Sequence, residues 1–166
     1  TGTTASSANY AVDTKAATAT ITLSDTALIS GETSTVTITF SEAVTGFANA
    51  DLTIENGTLG TLTSTNNITW TATFTPSTSI EDATNAITLA SSYTDVAGNT
   101  GGTASASYAV NTQGPSATIT LSDSALIIGE TSTVTITFSE AVSGFAVGDL
   151  SVENGTLSGL TSTNNI

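Results

Sequence analysis

The sequence has no histidine, no cysteine and no arginine, and it sets one cation, Lys15, against 14 acidic residues among 166. Each absence removes chemistry. Without histidine or cysteine there is no Ser-His-Asp triad, no Cys-His nucleophile and no zinc centre of the usual ligands. The many Ser and Thr hydroxyls lack a general base. Paired carboxylates could still work as acid and base, as in glycosidases, but nothing in the sequence suggests a cleft to hold a sugar. A formal charge of −13 repels nucleic acid and anionic membrane surfaces, so neither is expected as a partner. The absence of free thiols is compatible with export. No signal peptide is visible, nor an apolar run near about 18 residues, so direct membrane insertion is not expected. The chain reads as a non-enzyme.

What is present repeats. Residues 19–68 begin ATITLSDTALISGETSTVTITFSEAVTGF, and residues 117–166 begin ATITLSDSALIIGETSTVTITFSEAVSGF. Sliding Asp25 onto Asp123, a shift of 123 − 25 = 98, leaves nine differences in 50 positions. A period near a hundred residues points to a tandem array of whole domains. The opening segment also matches residues 100–116. The expected division is therefore the last strand of a preceding repeat (1–12), a linker (13–18), a complete repeat (19–112), a second linker (113–116) and the N-terminal half of a further repeat (117–166). That half is expected to need strands from elsewhere, either from another chain or from a longer polymer.

Strand signals dominate. In TVTITF, Val36, Ile38 and Phe40 alternate with Thr35, Thr37 and Thr39. In ITWTATF, Ile68, Trp70, Ala72 and Phe74 alternate with threonines. Period-two alternation with β-branched residues marks half-buried antiparallel strands. Seven are expected, at 19–23, 34–40, 51–55, 59–63, 68–74, 85–92 and 103–110, with a short helical turn near Thr26–Ile29. Turn signals separate them: Ser30-Gly31, Thr45-Gly46, Asn56-Gly57, Asn66-Asn67, Pro76-Ser77 and Gly98-Asn99. The fold class is all-β, an immunoglobulin-like β-sandwich in tandem, with Phe40, Trp70, Phe74, Tyr93 and Tyr108 in the core and no disulfide.

If the strands alternate up and down, the acids gather at the two poles of the sandwich. Glu42, Asp51, Asp95 and Asn99 share the pole where the chain enters, with Asp13 arriving from the linker. Asp25, Glu32, Glu55, Asn56, Glu81 and Asp82 fall at the other pole. Asn111 follows in the second linker, and Glu140 and Asp149 in the next repeat. Two carboxylates held about 5 Å apart repel by roughly 3 kcal/mol at an effective dielectric near 20, and almost no Lys or Arg is available to relieve this. Calcium takes six to eight oxygens from Asp, Glu, Asn and backbone carbonyls, and magnesium demands stricter geometry. Ca2+ is therefore the expected cofactor, with Asp13, Glu42, Asp51, Asp95, Asn99, Asn111, Glu140 and Asp149 as candidate ligands. The plain alternative for any one of these acids is a solubilising surface charge. Glu55 is expected to be solvated beside its turn.

The segments FSEAVTGF, DLTIENGTL, YTDVAGN and YAVDTKAA resemble the tandem bacterial Ig-like repeats of giant type I-secreted, RTX-type adhesins, and are similar to the extender region of a marine bacterial ice-binding adhesin. The resemblance implies calcium-stiffened spacers at the bacterial surface that hold a binding tip away from the cell and support attachment and biofilm growth. It matches Asp13, Glu42 and Asp95 to the acidic positions of a junction site, with neighbouring repeats of the same chain as partners. Two positions depart from the family pattern: Ala17 stands where proline is usual, and Asn111 where aspartate is usual. A neutral ligand at Asn111 implies weaker calcium binding at the second junction. Two other readings compete: a fibre or surface-layer subunit that shares strands between copies, and a glycan- or ice-binding module. Outward threonines are ordinary on an exposed strand face, and the few aromatics alternate inward, which disfavours the second.

Overall fold

The computed structural model describes residues 8–162 and 164–166. The chain forms two compact units, residues 1–113 and 114–166.

In the first unit the strands are β1 (Ala19–Leu23), β2 (Ala27–Ile29), β3 (Ser34–Phe40), β4 (Val44–Thr45), β5 (Leu52–Ile54), β6 (Gly57–Leu59), β7 (Thr63–Ser64), β8 (Thr69–Pro76), β9 (Glu81–Leu89), β10 (Thr94–Asp95) and β11 (Ala104–Asn111). One sheet runs β1-β3-β8-β6, with β7 also on β8. The other runs β2-β11-β9-β5, and β4 pairs with β10 in a short ribbon. All pairings in the two main sheets are antiparallel except β2 with β11. This is the immunoglobulin-like sandwich, with its first strand divided between the two sheets.

That division replaces the helical turn expected near Thr26–Ile29. The chain leaves β1 at Ser24 and crosses to β11, where Leu28 lies opposite Val110 and is 1 % exposed. Ser34 fixes the crossing. Its buried hydroxyl donates to the Asp25 carbonyl at 2.9 Å and accepts the Asp25 N–H at 3.0 Å. A helical turn would forfeit both the β11 ladder and the Leu28 burial.

The alternation on β3 is realised: Val36, Ile38 and Phe40 are buried, while Thr35 and Thr39 face out. Phe74, Tyr93 and Tyr108 are buried with them. Trp70 departs from expectation. It is only partly buried at the margin of the core, and its indole N–H has no hydrogen-bond partner among the described residues. Phe47, absent from the expected core, is buried between Phe40 (ring centroids 5.0 Å apart) and Trp70 (5.3 Å).

Turn chemistry follows the residues. Gly31, Gly46 and Gly98 take positive φ, and so do Asn56 and Asn67, whose short polar side chains tolerate the left-handed region. In Asn56-Gly57 it is the asparagine that turns. Gly57 is needed because a Cβ there would lie 2.2 Å from the Phe74 ring. Residues 8–12, expected as the end of a strand, lie in no strand, and Tyr10 and Val12 are exposed without a sheet neighbour. Residues 1–7 of that expected strand fall outside the described residues.

In the second unit, β12 (Ala117–Leu121) pairs with β13 (Val134–Phe138). Its register, Ala117 opposite Phe138 through Leu121 opposite Val134, repeats Ala19 opposite Phe40 through Leu23 opposite Val36 at the 98-residue shift.

Candidate metal centre

The pole of the first unit where β1 begins is built by three segments. The segment before β1 carries Asp13, the β3–β5 loop carries Glu42, and the β9–β11 loop carries Asp95. The two loops are tied by the β4–β10 ribbon, which sets Asp95 opposite Val44 and Thr94 opposite Thr45. The Thr45 and Thr94 hydroxyls bond each other at 3.0 Å. Glu42, two residues before β4, is thereby drawn to Asp95. One carboxylate oxygen from each of Asp13, Glu42 and Asp95 lies within 4.8 Å of the other two. Asp13 is exposed, Glu42 half-buried and Asp95 buried.

Asn99 organises the group. Its side-chain nitrogen faces three acceptors: Asp95 Oδ2 at 2.8 Å, the Asp13 carbonyl at 3.3 Å and the Lys15 carbonyl at 3.4 Å. An oxygen in that position would be repelled by all three, so the amide orientation is fixed by its neighbours. Asn99 therefore pins the segment before β1 onto the β9–β11 loop. Its side-chain nitrogen acts as a donor within the group, a role separate from the oxygen ligand expected from sequence. Its backbone N–H also donates to Asp95 Oδ1 at 2.9 Å. The Asn99 side chain, aided by backbone N–H groups of the loop, holds the Asp95 carboxyl below its ordinary range against the opposing effect of burial. Asp95 is thus an anion at neutral pH. The chain's one cation, Lys15, gives its backbone N–H to Asp13 Oδ1 at 3.1 Å.

Beneath this group Tyr93 anchors the loop. It is 1 % exposed, packs on Phe40 and donates its hydroxyl proton to the Gly102 carbonyl at 2.8 Å. Gly102 in turn donates its N–H to the Ala17 carbonyl at 3.0 Å. The segment before β1 is therefore fixed at Ala17 as well as at Asn99.

The other candidate ligands sit elsewhere. Asp51 closes the 3-10 turn Asn49–Asp51: its Oδ2 accepts the Ala48 N–H at 2.8 Å and its Oδ1 accepts the Ser92 hydroxyl. Its oxygens are committed there, and it does not join the three carboxylates. Asp149 repeats that cap in the second unit, accepting the Ala146 N–H at 2.9 Å. Asn111 ends β11 in the first unit, opposite Ile29 and Glu81, and Glu140 belongs to the second unit. At the opposite pole the acids are engaged locally. Asp25 accepts the Ala27 N–H, Glu32 the Ile29 N–H, and Asp82 both the N–H and the hydroxyl of Thr84. Glu55, expected to be merely solvated, accepts the Ala86 N–H at 2.7 Å. Asn85, which sequence reasoning missed, is fully buried between the two sheet margins. It takes a hydrogen bond from Asn56 and donates to the Asp82 carbonyl at 2.7 Å. No local signal separates it from a surface asparagine.

The three-carboxylate group fits a hard cation. Oxygens around one calcium, each at about 2.3–2.6 Å, lie no more than roughly 4.6–5.2 Å apart, and the observed limit of 4.8 Å falls inside that span. The donors are all oxygen, as calcium requires, and they grade from the exposed Asp13 through the half-buried Glu42 to the buried Asp95.

The profile of the bacterial Ig-like domain family matches residues 13–112 and again residues 111–166, so the chain belongs to that family. No curated protein and no solved structure matches it. Domains of this family are generally non-catalytic structural modules, typically of extracellular or surface proteins. Among the described residues no helix is long and apolar enough to cross a membrane.

Proposed function

We propose that this chain is part of an extracellular spacer of a bacterial adhesin, in which calcium at the start of each repeat locks the linker to the sandwich and stiffens the array. The observation that supports this most directly is the convergence of Asp13, Glu42 and Asp95 from three separate segments. Asp13 is the informative member, because it lies on the chain entering the domain. A cation shared between Asp13 and the two loop carboxylates would restrict the direction of that entering chain. Without it, mutual repulsion of three anions would loosen the segment around Asp13, which Asn99 and the contacts at Ala17 and Thr18 would still tether. By this reading the role is mechanical: a stiff rod holds a distal binding domain away from the cell for adhesion or biofilm growth. The second linker, with neutral Asn111, would bind calcium more weakly.

Calorimetric titration of the chain with calcium is expected to give saturable binding whose tighter component, at Asp13, Glu42 and Asp95, Glu42→Gln abolishes. Small-angle scattering of a longer array of these repeats is expected to show extension with calcium and bending after EDTA. An absence of binding heat at millimolar calcium refutes the reading.

A further inference from the structure

The corner between β5 and β6 holds an Asn-Gly pair, and packing imposes both residues. Asn56 takes the left-handed backbone, with φ 46°, and a side chain at position 57 would collide with the Phe74 ring. Asn-Gly is also the most reactive setting for an asparagine side chain, because a glycine leaves its own N–H open to approach. The sheet does not engage that N–H. Ser77 gives its N–H to the Asn56 carbonyl at 2.9 Å, and Gly60 gives its N–H to the Thr73 carbonyl at 2.8 Å. These mark the hydrogen-bonded pairs of the β6–β8 ladder, so Gly57, opposite Pro76, falls in a non-hydrogen-bonded pair. β6 is the last strand of its sheet, and the Gly57 N–H points out from that edge.

The amide is held elsewhere. The Asn56 side-chain nitrogen donates to Asp82 Oδ2 at 3.1 Å and to Asn85 Oδ1. Asn85 is fully buried, and its own nitrogen is spent on the Asp82 and Tyr108 carbonyls, at 2.7 and 3.5 Å. Its oxygen therefore faces Asn56 as an acceptor, and Asn56 is its one donor among the described residues. The group that must leave in any reaction at Asn56 Cγ is thus bound to β9 in the second sheet. The nucleophile, the Gly57 nitrogen, lies at the edge of the first. The two meet when the corner opens, so the rate follows the population of that local opening. The same two acceptors decide what happens afterwards. A carboxylate at position 56 offers them no proton: it leaves Asn85 Oδ1 buried without a donor and stands against the Asp82 carboxylate.

We propose that Asn56 is a self-modification site, converted to aspartate and isoaspartate through openings of the β5–β6 corner, and that the product keeps the corner from closing again. In the first step the Gly57 nitrogen bonds to Asn56 Cγ, the Cγ–Nδ2 bond breaks, and the Gly57 N–H proton leaves with the amide as ammonia. Water then cleaves one of the two C–N bonds of the imide ring. Cleavage at the side-chain carbonyl restores the main chain with an aspartate. Cleavage at the main-chain carbonyl leaves the chain running through Cγ, as isoaspartate. Water is the one co-reactant, and no cation takes part. The change runs one way. It acts where Glu55 receives the Ala86 N–H on its side chain and the Tyr108 hydroxyl on its carbonyl, so it loosens the tie between this corner and the second sheet. Asn67 supplies the comparison. It too has positive φ and is exposed, but a branched residue follows it, Ile68, whose N–H is already given to Asn66 Oδ1 at 3.0 Å.

The test ages the full chain at mildly alkaline pH and follows the segment around Asn56 by peptide mass spectrometry, with an isoaspartyl methyltransferase as the probe for isoaspartate. Conversion at Asn56 is expected to be at least tenfold slower in the folded chain than in urea, and in urea at least tenfold faster than at Asn67. Asn85→Ala removes the holding acceptor and is expected to speed conversion in the folded chain at least tenfold, with Asn67 unchanged. Should Asn85→Ala not fold, Asp82→Ala, which removes the other acceptor, carries the same expectation. Asn56→Gln, which cannot close a five-membered ring, is expected to stay unconverted. Asn56→Asp is expected to lower the melting temperature reported by Trp70 by at least about 4 °C. Equal rates in the folded and the urea-unfolded chain overturn the proposal. So does faster conversion at Asn67, a rate that the loss of either acceptor leaves unchanged, or an unaltered melting temperature in Asn56→Asp.

Discussion

Adding one methyl group at Gly101 is expected to cost the first unit more stability than most surface substitutions, and to do so at the base of the carboxylate group. A Cβ there would lie 2.1 Å from Tyr93 Cε2 and 2.2 Å from Cζ. To restore an ordinary contact of 3.4 Å the ring must move by about 1.3 Å. It has little room: it is 1 % exposed and its centroid lies 4.9 Å from that of Phe40 and 6.0 Å from that of Phe47. Forcing an extra carbon into a packed core costs about 1–3 kcal/mol. Displacing the hydroxyl from the Gly102 carbonyl adds roughly 0.5–1.5 kcal/mol. A central value of about 3 kcal/mol corresponds to a Tm lower by roughly 12–24 °C for a domain of about a hundred residues. Gly102→Ala is the control. Its Cβ would meet only the Ala17 carbonyl, at 3.6 Å, and neither glycine has positive φ. Losing a glycine's unfolded-state freedom makes that variant neutral or stabilised by up to about 1 kcal/mol. Trp70 is the only tryptophan and lies in the first unit, so its emission during urea unfolding of the whole chain reports this domain selectively. Equal midpoints for the two variants would refute the packing argument.

Three further outcomes follow from the same geometry. Burial first, then the nearby charge of Glu55, pushes the Tyr108 phenol up to about 12, and its hydroxyl donates to the Glu55 carbonyl. The folded state thus favours the neutral phenol: its contribution is complete below pH 10 and is lost between about 10 and 12, so alkaline unfolding in that window should be reduced in Tyr108→Phe, leaving the share of Tyr93, whose phenol burial also raises. The Asp95 carboxyl is held low chiefly by the Asn99 side chain, so its contribution is present above about pH 4 and lost as pH falls through the lowered value. In Asn99→Ala, carbon-13 NMR should show Asp95 titrating closer to an ordinary aspartate, and an unchanged titration would remove Asn99 from its positioning role. Hydrogen exchange in the same variant should speed up at Lys15, whose carbonyl loses the Asn99 bond, while amides of β3 keep their protection.

Much of the fold was legible locally. Alternation along TVTITF and TWTATF fixes which side chains face inward, because successive residues of a strand point to opposite faces whatever lies beyond. Asn56, Asn67, Gly31, Gly46 and Gly98 marked turns because few other residues accept their backbone angles. The 98-residue register reappears in the strand pairing, with β12 and β13 repeating β1 and β3.

The sequence by itself therefore determined the long alternating strands such as β1, β3, β8 and β11, the Gly and Asn turns, the anionic composition and the repeat, since each depends on residue type or on neighbours a few positions away, whereas the short strands β2, β4, β7 and β10 did not show in it. Which acids meet was decided only by tertiary structure. Asp51 and Asp95 look alike on paper. One is consumed by its own turn, while the other is carried by the β4–β10 ribbon toward Glu42 and the segment holding Asp13. The transfer of β2 to the second sheet and the marginal seat of Trp70 were decided the same way. A carboxylate, like a backbone N–H, takes whatever partner the packed chain delivers, and that delivery spans as many as 86 residues between Asn99 and Asp13.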